Sequence, residues 1–556
     1  MAPSAAVRLV PALAAALLTA ACGPRVSADR VFIGTFITLD SAHPTVQAVA
    51  VSGGRITMIG TGAEVRKAAP RGVVLDTLEG VVVPGLADAH AHALTLGEQL
   101  ERLDLRGLSR EDIVSRVGAA VAEAPAGTWI LGGGWDQGYW TPVEFPTAAE
   151  LDSVAPDHPV LLDRIDLHSV WVNSKAMELA GINADTPDPA GGRVFRDSTG
   201  SPSGVLVDEA VELVRVAVPP DAPAMVRRRL ELALAQYGRW GLTSIHDAGV
   251  SWSTVRLYQA LAAEGRLPIR VYAMVNAPGA SADSALVEGP QTDLFDGRLT
   301  VRALKVMVDG ALGSRGAQLT DSYSDAPGER GLVLLSDTLL DDILDRAVER
   351  GFQVAVHALG DRAVSLVLDA FGRVDSAARA QRFRIEHVSV IRPADIERLA
   401  RHGVVASIQP VFVGEYRRWA ADRLGPNRVR WVVPTRHFRE AGVVVAAGTD
   451  FPASDTGDPI LSLFSMVTRR GADGLPVGGW LPEQKISLAD ALAAMTTGPA
   501  WASFSEADRG VIAPGFRADF TILSEDPRAV LPDDLRRVRV LGTLLDGQPA
   551  VSKRQP

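Results

Sequence analysis

The sequence predicts an α/β protein built on a (β/α)8 barrel, and three observations support this. Eight short apolar segments alternate with amphipathic helical spacers over roughly 400 residues. Several of these segments end in polar residues that a barrel would gather at one rim. Short alternating strands with turn signals occupy both ends of the chain, as expected for a smaller composite β domain. The predicted barrel strands are 81–90, 243–248, 269–275, 299–308, 353–357, 383–387, 404–409 and 443–448.

The predicted domain boundaries follow from where this alternation starts, stops and is interrupted. Residues 31–83 and 506–550 together predict one composite β-sandwich domain, and residues 84–505 predict the barrel. Between the first and second barrel strands, residues 93–240 are far more than one crossover helix requires. They predict an inserted subdomain over the mouth of the TIM barrel.

Composition excludes several classes of function. The formal net charge of −10, with no Lys/Arg-rich run, argues against a nucleic-acid partner, because a duplex binder needs a basic face. The chain has one cysteine, Cys22, which excludes an intrachain disulfide and a thiolate zinc site.

The first residues have the layout of a secretory signal. Residues 1–21 contain one basic residue, an apolar run and a small-residue end, too short for a stable membrane anchor. The stretch 18–22 (LTAAC) resembles a bacterial lipoprotein lipobox, which implies lipidation of Cys22 and a linker over 22–30; simple export is the alternative. We expect an exported, periplasm-facing lipoprotein of the bacterial cell envelope that meets the membrane only through this lipid.

The candidate functional residues close the predicted barrel strands. They are His90, His92, Lys305, His357, His387 and Asp450. One histidine at a strand end is explained as well by packing as by metal binding. Several titratable groups on one rim favour a metal, because burying them is costly unless they are paired or ligated. Imidazoles and a carboxylate suit Zn2+ and related divalent ions.

The lysine does not fit this pattern as it stands. An ammonium group only donates hydrogen bonds and would repel cations. Lys305 is therefore either a structural lysine or a chemically altered one.

These residues lie in motifs that resemble the amidohydrolase superfamily, in particular its amidohydrolase-3 branch, which includes YtcJ-like proteins and N-substituted formamide deformylases. The resemblance covers about residues 30–550. Its motifs are PGLADAHAH at 84–92, KVMVDGALGSR at 305–315, HALGDRA at 357–363, EH at 386–387, QP at 409–410, GTDFP at 448–452 and PGFRAD at 514–519. In the insertion, 134–136 (GWD) and 168–173 match too.

The resemblance implies a centre of two metal ions, zinc first, with manganese, cobalt or nickel as alternatives. His90 and His92 would hold one ion, His357 and His387 the other, and Lys305, carboxylated by CO2, would bridge them. Asp450 would bind the first ion and shuttle a proton from a metal-bridging hydroxide to the leaving nitrogen.

The resemblance also implies substrate contacts. These are Trp135, Asp136 and His168 from the insertion, and Asp309 and Arg315 after the fourth barrel strand; subdomain core is the competing explanation for the tryptophan. One position departs from the family. Relatives commonly carry a histidine two residues beyond the Gln-Pro motif, where this chain has Phe412, so we expect an apolar wall there.

The expected activity is metal-dependent hydrolysis of a C–N bond in an amide, formamide, carbamate or N-acyl compound. A nucleobase-type deaminase is the first alternative, although Gly360 stands where such deaminases usually place a glutamate. A non-catalytic ligand-binding lipoprotein of the envelope is the second. The expected partner is a small-molecule substrate, the substrate itself stays open, and a homodimer is one possible assembly.

Overall fold

Eight parallel strands form the barrel of this computed structural model, which describes residues 26–220 and 222–551. The predicted signal segment, the lipidation site at Cys22 and the start of the linker lie outside these residues. In spatial order the barrel strands are Leu86–Ala91, Leu242–Val250, Arg270–Asn276, Leu299–Met307, Gln353–Ala358, Arg384–His387, Val405–Ile408 and Val445–Ala447. The predicted α/β fold class is confirmed.

The barrel closes between its last and first strands through polar contacts at the rim. The backbone N–H of Asp450 donates to the carbonyl oxygen of His90 over 2.7 Å. The buried Asp88 carboxylate accepts bonds from the Thr449 N–H (3.0 Å) and hydroxyl (2.6 Å). At Gly448 a Cβ would lie 2.3 Å from the His90 nitrogen, so only glycine permits this approach.

Helices surround the barrel, and their apolar faces share one continuous core with the strands. One of them, Asp337–Arg350, is capped at Ser336, whose hydroxyl accepts from the Leu339 N–H, and ends at the left-handed Gly351. The helices of this layer are Pro223–Arg239, Trp252–Ala263, Ala280–Glu288, Asp337–Arg350, Asp361–Arg373, Asp375–Ala380, Pro393–Arg401, Phe412–Arg428, Thr435–Glu440, Pro459–Thr468, Leu488–Ala494 and Thr497–Ala502. Short elements between them are Gln291–Asp293, Leu294–Gly297, Val429–Trp431 and Pro482–Gln484.

Strands from both ends of the chain form one hydrogen-bonded sheet of seven strands. Its order is Gln548–Pro549, Val540–Leu545, Phe520–Leu523, Val74–Pro84, Arg30–Ile37, Thr45–Ser52 and Arg55–Gly60, with the helix Gly62–Ala68 beside it. The short helix Pro532–Arg537 packs against Pro459–Thr468 of the barrel layer. The ends share a core, because Phe520 packs edge-on against Phe32 and Phe36 at ring-centroid distances of 5.9 Å. The composite domain is thus one continuous sheet.

The segment between the first two barrel strands carries a six-stranded sheet. Its order is Gly192–Arg196, Pro202–Asp208, Ser169–Val172, Val160–Arg164, Ile130–Trp135 and Leu103–Asp104. Its helices are Ala93–Gln99, Arg110–Glu123, Gln137–Tyr139, Ala148–Asp152, Ser174–Leu179 and Val211–Arg215. In the described part of the chain, every helix is too short or too polar to span a bilayer.

Candidate active site

The six residues at the strand ends meet in one cavity. A space of about 890 Å³ at the carboxyl rim of the barrel is lined by His90, His92, Lys305, His357, His387 and Asp450. The position of each residue follows from local structure, because parallel strands of one barrel place their carboxyl ends at the same rim. The constellation predicted from sequence is therefore assembled by the fold.

The shortest distances centre on Asp450. Its Oδ1 lies 2.9 Å from the Nε2 of His92 and 3.4 Å from the Nε2 of His90. Ligand atoms of His90, His387 and Asp450 all lie within 4.8 Å of one another. The His357 ring lies 4.5 Å from the His387 ring, which extends the group of imidazoles across the cavity.

Three imidazoles are held by their outer nitrogens. The Nδ1 of His90 bonds to Glu386 Oε2 at 2.5 Å, that of His92 to the Ala248 carbonyl at 3.0 Å, and that of His387 to Gln409 Oε1 at 2.8 Å. Because all three partners accept, each ring carries its proton on Nδ1. The Nε2 lone pairs of His90 and His387 are then available to a ligand, which is how metal-binding histidines are usually oriented, whereas the Nε2 of His92 faces Asp450 Oδ1.

Two of the site residues adopt a left-handed backbone. His387 has φ +75° and Asp450 has φ +60°, a region that costs non-glycine residues roughly 1–3 kcal/mol. The Asp450 N–H bond to His90 holds one of them in place. Strain of this kind concentrates at functional sites, where the surrounding structure enforces it.

Burial sets the protonation states of these groups. It lowers the pKa of His90, drives the pKa of His357 well below its ordinary value and brings the pKa of His387 to about 3, so the imidazoles are neutral. Burial also lowers the pKa of Lys305. For Asp450 burial acts upward, but the surrounding His90, His92 and His387 outweigh it, so the pKa of this carboxyl lies below its ordinary value and the group is ionised.

These observations fit a divalent metal. The Nε2 atoms of His90 and His357 are buried and have no hydrogen-bond partner among the described residues. Buried polar nitrogens are rarely left unsatisfied, and neutral imidazoles beside an ionised carboxylate are zinc-type donors. The structure thus supplies a candidate metal site at His90, His387 and Asp450, with the other imidazoles beside it.

A second space of about 450 Å³ adjoins the first and shares His168, His357, His387 and Asp450 with it. Of the predicted substrate residues, Asp136 and His168 line it. The Nδ1 of His168 bonds to Asp208 Oδ1 at 2.6 Å, and its ring lies 5.6 Å from that of His357. Burial lowers the pKa of His168, but the bond and charge of Asp208 outweigh it and raise the pKa above its ordinary value.

The structure places the other three predicted substrate residues elsewhere. Trp135 is fully buried in the insertion, stacked 5.9 Å from Trp140, with its Nε1 donating to the Leu162 carbonyl. The Arg315 guanidinium pairs with Asp325 at 3.0 Å, away from both cavities.

The Asp309 carboxylate is wholly buried and accepts N–H bonds from Gln318, Leu359 and Gly360 over 2.8–3.0 Å. It organises the loop after the fourth barrel strand, and Asp309 lies outside the lining of both cavities.

Sequence reasoning missed several residues of the site. Glu386 and Gln409 stood in recognised motifs without a role. Asp208 is the last residue of a strand of the insertion, much as the other polar residues stand at the ends of barrel strands. The second space, of about 450 Å³, is also lined by Arg164, Asp166, Glu415, Tyr416 and Trp419. The last three share helical spacing with Phe412, a signal that could have been read once Phe412 was placed at the site.

Comparison with known proteins agrees with this geometry. The amidohydrolase family model (Amidohydro_3) matches residues 74–551. The chain is 33% identical over 486 residues to the putative amidohydrolase YtcJ of Bacillus subtilis, covering 86% of this chain and 90% of that protein. It is 30% identical over 532 residues to the N-substituted formamide deformylase of Arthrobacter pascens, covering 92% and 96%. A metal-dependent hydrolase structure from Pyrococcus horikoshii superposes with a TM-score of 0.73 at 28% identity, covering 90% and 99%.

Proposed function

This chain belongs to the amidohydrolase family, and we propose that it is a metal-dependent enzyme that hydrolyses the C–N bond of an amide, formamide, carbamate or N-acyl compound. The observation that carries the proposal is the meeting of Asp450 with His90, His92 and His387 at the rim of the barrel. Two buried imidazole nitrogens of this cluster, those of His90 and His357, have no hydrogen-bond partner among the described residues, which favours a bound ion over a purely structural role.

The metal-holding residues would be His90, His92, His357, His387 and Asp450, with Lys305 as a bridge. A bound divalent ion would polarise the scissile carbonyl and lower the pKa of a coordinated water, so that hydroxide is available near neutral pH. We propose two ions, zinc first. For the bridge, the neutral Lys305 amine would add CO2 and release one proton to become a carbamate; its burial and lowered pKa favour that neutral amine.

The protein's own groups would move the proton and position the substrate. The ionised Asp450 would take a proton from the attacking water and pass it to the leaving nitrogen. His168, held by Asp208, would donate a hydrogen bond from Nε2 to the oxygen on which negative charge develops. Phe412, whose ring lies nearly parallel to that of His387 at 6.3 Å, would form the apolar wall beside the reacting bond.

The test is metal content and turnover in one preparation. We expect protein from a metal-replete host to retain divalent metal and to hydrolyse members of a panel of N-formyl and N-acyl amines. Asp450→Asn should abolish turnover, by about 10³-fold or more, because the proton shuttle is lost. Glu440→Gln, an exposed change on a distant helix, is the control. Metal-free protein that binds panel members without turnover would instead support an envelope binding protein.

We also propose that the mature protein is an exported lipoprotein. The support is the leader pattern of residues 1–22. In a host supplied with labelled palmitate, the full chain should incorporate label into membrane-associated protein, and Cys22→Ala should not. Label in both variants, or in neither, would contradict lipidation at Cys22.

A further inference from the structure

One helix presents four side chains to the second space of the site, the one of about 450 Å³. On Phe412–Arg428, the residues Phe412, Glu415, Tyr416 and Trp419 follow the i, i+3, i+4, i+7 spacing of a single helix face and line the same space as His387 and Asp450. Consecutive rings are in contact, at 5.3 Å between Phe412 and Tyr416 and 5.1 Å between Tyr416 and Trp419. The face is aromatic, with one carboxyl group set into it.

That carboxyl group has no counter-ion within 4 Å among the described residues, and the positive charges of Arg164 and Arg418 reach it only from farther away. Glu415 is 6% exposed, and its Oε1 accepts a single bond, from the Asp455 N–H at 3.1 Å. No arginine, lysine or histidine of residues 26–220 and 222–551 forms an ion pair with it. Burial first, and then the negative charges of Asp455 and Asp136, raise the pKa of Glu415 well above its ordinary value.

The nearby arginines lie closer to other groups, although the Nε and Nη2 of Arg418 form no hydrogen bond among the described residues. Arg164 donates to Asp136 at 2.6 Å and to Asp166 at 2.5 Å. Arg418 lies over the Tyr139 ring at 3.6 Å and within 3.7–3.8 Å of Asp136 and Asp455.

Arg164 and Arg418 are thus shared among Asp136, Asp166 and Asp455, and neither lies within ion-pair distance of Glu415. A buried carboxylate without a partner is costly, and a ligand cation would remove that cost.

We propose that Glu415 is a specificity subsite for a cationic nitrogen, and that the preferred substrate carries an aromatic or apolar body ending in an ammonium group. The substrate's apolar body would lie along Phe412, Tyr416 and Trp419. Its ammonium would bond to the free oxygen of Glu415 and gain from the adjacent ring faces. The inference deepens the proposed hydrolase function and rests on it for the identity of the cavity's occupant.

Three formamides of matched shape test the subsite. They are the N-formyl derivatives of 4-(aminomethyl)benzylamine, 4-methylbenzylamine and 4-(aminomethyl)benzoate, which share the scissile bond and end in a cation, a neutral group and an anion. We expect kcat/KM to fall in that order. In Glu415→Gln, which keeps the shape and the acceptor for Asp455, the cation-to-neutral ratio should fall roughly tenfold to a hundredfold. Glu440→Gln should leave the ratio unchanged.

A binding measurement separates failure of the subsite from failure of the hydrolase. Benzyltrimethylammonium cannot ligate a metal through its quaternary nitrogen, so calorimetry with it reports the subsite alone. We expect affinity to fall about tenfold or more in Glu415→Gln and to hold in Glu440→Gln.

If none of the formamides is cleaved but this dependence on Glu415 appears, the hydrolase proposal fails and the subsite stands. If all three are cleaved equally well and both Glu415 readouts stay at the wild-type value, the subsite is overturned and the hydrolase stands.

Discussion

Gln409 controls the orientation of the His387 ring without lining either cavity. Its Oε1 accepts the Nδ1 proton of His387, while its own Nε2 is buried with no hydrogen-bond partner among the described residues. The Gln409 side chain thus contributes more to orienting the His387 ring than to the stability of the fold. Outer partners of this kind typically change metal affinity 10–100-fold when removed.

Gln409→Met should therefore weaken metal affinity about 10–100-fold while lowering the free energy of unfolding by less than about 1.5 kcal/mol. Competition with a chelator and urea unfolding measure the two effects. Gln353→Met is the matched control, since Gln353 is equally buried but bonds to Tyr272 and two backbone carbonyls away from the site. It should show the reverse pattern, and equal effects of the two variants on metal affinity would refute the orienting role.

Trp135 and Asp136 show why adjacent residues of one motif have different roles. Trp135 ends the strand Ile130–Trp135, and neighbours along extended backbone point to opposite faces. The tryptophan packs into the insertion, whereas Asp136 reaches the cavity. The family resemblance identified the motif. Which of its two side chains faces the cavity follows only from strand alternation and from the packing of Trp135 against Trp140 and Trp171.

Trp135→Phe should accordingly act on stability. We expect a loss of about 1–3 kcal/mol, from reduced packing and the unsatisfied Leu162 carbonyl, with KM for any cleaved substrate unchanged within about twofold. Chemical unfolding and steady-state kinetics on the same preparation provide the readouts. A tenfold rise in KM with unchanged stability would contradict this structural role and indicate that Trp135 contacts the substrate.

At the scale of elements, the sequence predicted the barrel because the strands are apolar and short, alternate with helical spacers, and in several cases end in polar residues. The predicted strand 353–357 is Gln353–Ala358 in the structure, and 269–275 is Arg270–Asn276. The metal-type residues could be predicted because their position depends only on strand ends. Glu415 was harder to predict: its helical spacing from Phe412 is a local pattern, but which helix face meets the cavity depends on long-range packing of Phe412–Arg428.

Closure of the barrel depends on the absence of a side chain at Gly448. In Gly448→Ala the added Cβ would overlap the backbone of His90 and push the last strand from the first. We expect a loss of about 1–3 kcal/mol or more in stability, accompanied by weaker metal binding because His90 and Asp450 sit on the two separated strands. Thermal unfolding and metal content measure this. Gly62→Ala, where the new methyl meets nothing within 4 Å, is the control; similar behaviour of both variants would contradict the role of closure.

The whole molecule is joined by a buried ion cluster between the barrel and the composite sheet. Arg270, on the third barrel strand, donates to both oxygens of Asp519 at 2.7 and 2.9 Å and to Asp546 at 2.5 Å. Arg517 adds a bond to Asp546 at 3.1 Å. Because the carboxylates come from the C-terminal segment and Arg270 from the barrel, the cluster links parts of the chain that are about 250 residues apart.

The same cluster predicts how stability depends on pH. Burial acts to raise the pKa of Asp519, but the Arg270 charge and its hydrogen bonds outweigh burial, and the pKa lies below its unfolded value. A depressed carboxyl pKa contributes stability above the unfolded pKa of about 3.9, and that contribution is lost as the pH falls through the folded pKa. Asp519→Asn should thus cost about 3 kcal/mol at pH 7, and the gap to wild type should narrow below about pH 4. Urea unfolding at several pH values from 7 down to below 4 measures it, with the exposed Asp533→Asn expected to stay within about 0.5 kcal/mol of wild type. A gap that is constant with pH would show that Asp519 stabilises the junction through packing alone.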